Sequence, residues 1–279
     1  MTAILFAASA AAIYGTADYC GGSAARNTPA LAVTVVSQAI SIPLIVTLAL
    51  VRGGTPHPAD LAWGGVAGVT GFTGLVLLYR GLSRGAMTVV APTTAVTAAL
   101  VPLVAGVALE GLPSTPALVG ACCAVLAIGL VSLSANGPHA AATPALLVWA
   151  IASGIAFGLF YIGLDRTAET AGLWPLVAAR LSSVTVGTLA AVGSGVSLAP
   201  SIDSRRWIVA TGLLDVTAAA CYLFAAQHGA LAIVAPIAAL YPVSTVLLAL
   251  VIDRERVRRL QVLGLGLAAL ALILVSRAG

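Results

Sequence analysis

The sequence predicts an all-α, polytopic membrane protein: ten transmembrane helices arranged as two inverted five-helix repeats. Three observations predict it. Of the 279 residues 60% are hydrophobic and only 8% charged, with no lysine, whereas a soluble globule carries about a quarter charged residues. The 13 arginines and 9 acids are too few to coat a water-facing surface of this size, so most of the exterior faces lipid. Apolar runs of about twenty residues, the length that crosses a bilayer, recur along the whole chain. The second half also repeats the first.

The runs follow one another with short, recognisable breaks. Span one covers 2–21 and carries no positive charge before Arg26. A secretory signal begins with basic residues, so Ala8-Ser9-Ala10 is expected to mimic a cleavage site within a retained span. Span two, 29–51, follows Arg26-Asn27-Thr28-Pro29 and ends at the segment Arg52 to Asp60. Span three, 61–80, opens near Trp63 and closes at Arg80 to Gly85, and span four, 86–109, closes at Glu110 to Pro116. Span five, 115–134, stops before Asn136-Gly137-Pro138-His139. Spans six, 145–164, and seven, 173–196, flank Asp165 to Gly172, and Pro200 to Arg206 leads into span eight, 207–227. His228-Gly229 precedes span nine, 230–252, and Asp253 to Arg259 precedes span ten, 259–276. Backbone groups in lipid must pair internally, and the period-two alternation of barrel strands is missing, so these spans are helices.

A shift of 144 residues places Trp63 on Trp207, Gly68 on Gly212, Gly85-Ala86 on Gly229-Ala230, Val90-Ala91-Pro92 on Val234-Ala235-Pro236, Gly120 on Gly264, and Leu130-Val131-Ser132 on Leu274-Val275-Ser276. Between Trp63 and Ser132, 19 of 70 positions are identical without a gap, well above the roughly one in ten expected for so biased a composition. A shift of 143 adds Tyr14-Gly15 on Phe157-Gly158, with Ala11 and Gly154 each four residues before their glycine, a spacing that lets helix backbones approach closely. The repeat divides the chain into 1–139 and 140–279. Five spans per copy is an odd number, which inserts the second copy upside down relative to the first.

Ten spans as five plus five, a Gly-Ala start to spans four and nine followed by Val-Ala-Pro, an acid closing each (Glu110; Glu255 in Asp253-Arg254-Glu255-Arg256) and a glycine about ten residues later (Gly120, Gly264) resemble the EamA-type branch of the drug/metabolite transporter superfamily. The resemblance covers nearly the whole chain. It implies a secondary transporter, an exporter of amino acids, aromatic ones included, or of similar small amphipathic metabolites. One departure is that Glu110 falls one residue off Glu255, which requires a single-residue insertion or deletion in span four or nine.

Charges deep in a span cost about 2.5–3.5 kcal/mol each and call for an explanation. Asp215 and Arg180 are the deepest. As a cargo site, Arg180 meets a carboxylate while Asp215 meets an amine or a proton. As a structural device, the two form an ion pair between neighbouring helices. Asp18 is a further candidate for an amine or coupling proton, although Gly21-Gly22 close by favour an interfacial position. Among the scarce aromatics, Tyr14, Tyr19, Phe157, Phe160 and Tyr161 sit on repeat-related spans one and six, and Tyr79, Tyr222 and Tyr241 on spans three, eight and nine. A hydroxyl-tipped ring suits a cavity for amphipathic cargo, or else the interfacial belt to which Trp63, Trp174 and Trp207 belong by their place at span starts. Gln38, in mid-span two, bonds cargo or a neighbouring helix. Pro92 and Pro236 are matched helix breakers and hinge candidates.

Catalysis finds little support. His57, His139 and His228 fall in or beside loops without metal spacing, and Cys20, Cys122, Cys123 and Cys221 show no C-x-x-C pattern. No phosphate-binding loop is present, so neither a cofactor nor ATP coupling is expected, and a proton relay would run through Asp18, Asp215 or Glu110. A membrane-embedded enzyme or a structural membrane protein is the distant alternative, and a proton-coupled multidrug or cation exporter the nearer one. The expected partners are a small-molecule substrate, the lipid bilayer and protons, with no nucleic acid, and the expected assembly is a monomer in the cell (inner or plasma) membrane. Nine loop arginines lie on one side and three on the side holding both termini, which by the positive-inside rule puts the termini outside. The family resemblance implies cytoplasmic termini, so the two indications oppose each other.

Overall fold

A computed structural model describes residues 1–83, 87–133, 144–244 and 259–278. These form ten α-helices and two short 3-10 turns, with no strand among the described residues. They are α1 (Thr2–Ala25), α2 (Ala30–Arg52), α3 (Pro58–Ser83), α4 (Met87–Glu110), α5 (Thr115–Leu133), α6 (Pro144–Asp165), α7 (Trp174–Ser194), α8 (Arg205–Gln227), α9 (Leu231–Ala238) and α10 (Arg259–Ala278). Seven, α1 to α4 and α6 to α8, carry a stretch long and apolar enough to cross a membrane. The apolar stretches of α5, α9 and α10 are shorter within the described residues. Large apolar side chains such as Leu50, Val51, Val104, Leu126, Val148 and Leu189 point outward, which a lipid solvent allows and water does not.

The expected continuous ninth span is interrupted. α9 ends at Ala238, residues 239 and 240 turn, and helical backbone resumes over 241–244. Pro242 supplies the cause: it has no N–H to donate to the Ala238 carbonyl, and its ring crowds that preceding turn. The ladder tightens just before it, where the Leu240 amide donates to the Ile237 carbonyl (3.1 Å) rather than one residue further back. α3 also begins earlier than expected, at Pro58, because Asp60 accepts a hydrogen bond from the His57 amide (2.8 Å) and caps the first turn.

Helix directions follow from which residues meet. α3 and α6 run antiparallel, with Gly71 against Phe160 and Gly74 against Phe157. So do α1 and α8, where Phe6 meets Phe224 (4.3 Å between ring centroids) and Ser204 donates to the Ala24 carbonyl (3.1 Å). The pairs α2/α7 (Val35 on Gly187), α4/α9 (Gly106 on Ala232) and α5/α10 (Gly120 on Val275) are antiparallel too. Under the sequence repeat, α3/α6 becomes α8/α1, and each of the last three pairs maps onto itself. A repeated pairing together with self-equivalent antiparallel pairs is what an approximate two-fold axis across the helices produces.

Close packing depends on small residues. A Cβ on Gly68 would collide with the Ala179 carbonyl of α7, and one on the repeat-related Gly212 would collide with the Ser37 carbonyl of α2. Equivalent loops also pair at the two ends. At one end the Thr55 amide donates to the Thr170 carbonyl (2.9 Å), and Asp60 accepts the Ala168 amide (2.8 Å). Gly54 (φ 129°) and Gly172 (φ 57°) hold backbone that side chains disfavour while crowding the facing loop. At the other end Thr28 and Ser201 exchange hydrogen bonds of 3.3 and 3.2 Å.

Candidate functional site

Helices α1, α2, α3, α6, α7 and α8 surround a cavity of about 60 Å³, room for about five waters at roughly 10–15 Å³ each. Its polar lining is Tyr14 and Asp18 from α1, Gln38 from α2, Arg180 and Ser183 from α7, and Asp215 from α8. Phe157, Phe160 and Tyr161 of α6, Phe72 and Leu75 of α3, and Tyr241 just beyond the break in the ninth span form the apolar walls. A narrower pocket of about 10 Å³ shares Asp18, Gln38, Leu75 and Asp215 and adds Thr34, Ser37 and Thr211. It leads toward the first turns of α2 and α8.

The cavity lies deep. Asp215 is ten residues beyond the start of α8, about 15 Å at 1.5 Å per residue. Arg180 is six beyond the start of α7, and Asp18 seven short of the end of α1. The sequence allowed Asp18 an interfacial place beside Gly21-Gly22; the structure instead turns it onto the cavity, because one helical turn from Tyr14 keeps both on the same face.

Arg180 and Asp215 bind each other, Nη2 to Oδ2 at 2.7 Å, which offsets the cost of holding either charge in lipid. The pair is both structural and cavity-lining, so the two roles are not exclusive. Three polar atoms around it remain unsatisfied: the Tyr14 hydroxyl, Gln38 Oε1 and Arg180 Nε are buried without a hydrogen-bond partner. Such atoms are costly unless something completes them.

The remaining candidates separate clearly. Phe157, Tyr161 and Tyr241 line the cavity. Tyr222 does not: it is fully buried behind the wall, its hydroxyl donating to the Tyr161 carbonyl (3.1 Å) and its ring 4.5 Å from that of Tyr161. A phenol with its hydrogen bond satisfied in the core is packing, which removes Tyr222 from the candidate set. The side chains of Tyr79 and Pro92 lie outside the described residues. Pro236 is in α9, just before the turn that brings Tyr241 to the cavity. Glu110, a relay candidate, instead accepts the Leu231 amide (3.1 Å) and caps the start of α9. Among the described residues no cluster of three metal-ligating side chains occurs. Sequence reasoning missed Phe72, Ser183 and the glycines of α3. Only Ser183 carried a usable signal, since it follows Arg180 by one helical turn.

Comparison with known proteins gives a family and a fold. The model of the EamA-like transporter family matches residues 1–133 and again 145–277. A solved crystal structure 17% identical in sequence aligns over 99% of this chain and 96% of its own, with a TM-score of 0.79, a likeness of fold. No curated protein sequence matches.

Proposed function

Because the chain belongs to the EamA-like transporter family, and so is a membrane transporter, we propose that it moves small amphipathic metabolites by alternating access through the central cavity. Amino acids, aromatic ones included, are the first cargo class, and export is the direction. The chain acts as ten spans in two inverted copies, 1–139 and 140–279, as a monomer in the cell membrane. The observation that carries the reading is the cavity itself: charged and hydrogen-bonding groups, Asp18, Gln38, Arg180 and Asp215, gathered with aromatic walls deep among long apolar helices. A packed structural bundle has no use for unsatisfied polar atoms at that depth. Matched loop contacts at both ends support two interconvertible closures of one scaffold.

Counterflow tests it. Proteoliposomes loaded with unlabelled phenylalanine accumulate external radiolabelled phenylalanine if the reading holds, and Asp215→Asn abolishes the accumulation. Equal signal in protein-free liposomes sinks it. A second reading, a cation exporter using protons, is favoured by one observation: the Arg180–Asp215 bond leaves Asp18 as the unpaired carboxyl of the cavity.

A further inference from the structure

The charges of the cavity do not cancel. Arg180 and Asp215 neutralise each other, while Asp18 lines both the cavity and the narrower pocket and takes no hydrogen bond or ion pair from any described residue. Gln38 shares both pockets with Asp18 and is 4% exposed, yet its Oε1 has no partner. Tyr14, one turn before Asp18 on the same helix face, has an unpartnered hydroxyl.

The chemistry of these atoms is one-sided. A carboxylate and an amide oxygen only accept hydrogen bonds, and a phenol oxygen can accept as well as donate. Acceptors gathered around an unpaired carboxyl complement a group with several N–H donors and a positive charge, which stabilises the carboxyl as a carboxylate. Phe157 and Tyr161 in the same wall add ring faces that attract a cation. A carboxylate on the cargo finds a poorer match. Its one cationic partner, Arg180, is already committed to Asp215, with only Nε left over.

The geometry points to Asp18, Gln38 and Tyr14 as the receptor for a protonated primary amine, so that a cargo with one net positive charge binds in preference to the zwitterion or anion of the same skeleton. This rests on the transporter reading of the same cavity and narrows its cargo.

Three compounds that share a phenyl ring and differ in charge test it: phenethylamine, phenylalanine and 3-phenylpropionate, titrated calorimetrically against the purified wild-type protein. The expected order is amine tightest and anion weakest, with the amine ahead of the zwitterion by about tenfold, the scale of a hydrogen-bonded charge. Asp18→Asn weakens the amine about tenfold and erases the order, while Asp18→Glu restores part of it. Tighter binding of the zwitterion or anion, no binding of the amine, or an Asp18→Asn affinity within twofold of wild type would overturn the proposal. Should Asp18→Asn fail to fold, the wild-type order decides alone. The transporter reading fails separately, if the compounds bind but none exchanges across proteoliposomes.

Discussion

Arg180 and Asp215 were legible because a charge within an apolar run has few explanations, and the 2.7 Å bond between them gives their stability a definite sign. Arg180→Ala strands a buried carboxylate and destabilises the protein at the low end of about 3–5 kcal/mol, because the Asp215 side chain keeps 22% exposure toward the cavity. The double variant Arg180→Met/Asp215→Met regains most of that stability but not transport. Melting temperatures of the purified proteins beside counterflow rates check both halves of the prediction. Gln38→Leu behaves differently. It removes an acceptor that nothing in the structure satisfies, so the melting temperature holds or rises while cargo affinity falls; a drop in both would make Gln38 structural. Tyr222 shows what sequence cannot tell at this scale. Its ring reads the same as that of Tyr241, and only the hydrogen bond to the Tyr161 carbonyl reveals that it faces the core.

At the scale of the helix, glycine sets how closely neighbours approach. Gly68 and Gly212 occupy equivalent places in α3 and α8, each against a carbonyl of the adjacent helix. Either glycine changed to valine overpacks its contact by about 1–3 kcal/mol, visible as a lower melting temperature, whereas Gly65→Val, with open space around it, leaves the melt unchanged. The sequence repeat picked out both glycines without naming what they touch. It flagged Pro236 as well, but not the interruption at 239 and 240, since the breaker there is Pro242, whose repeat-related position is Ala98. Pro242→Ala restores the bond to the Ala238 carbonyl, extends the helix through that turn and withdraws Tyr241 from the cavity wall. Counterflow then slows at least severalfold while the folded protein remains; a rate equal to wild type would deny the turn any part in the cycle.

For the molecule as a whole, the duplication at 144 residues and the apolar runs made the helical class and the two copies readable in advance. The pairing of α1 with α8 and of α3 with α6 was not readable, because it depends on contacts between copies that no periodicity within one copy records. The six-helix cavity that results was likewise visible only in pieces. The two copies predict matched closures. A Thr55→Cys/Thr170→Cys pair, placed where the backbones touch at 2.9 Å, halts transport on oxidation and releases it on reduction in a background freed of the four native cysteines.

The central claim, that the copies are oppositely inserted around one site, has a direct test that needs no cargo. Residue 55, between α2 and α3, and residue 202, between α7 and α8, are exposed and lie in equivalent loops. Thr55→Cys and Ile202→Cys are made singly in the cysteine-free background and treated in intact cells with a membrane-impermeant thiol reagent. Opposite insertion predicts labelling of one variant and protection of the other until the cells are permeabilised. Labelling of both, or protection of both, from the outer face would contradict it.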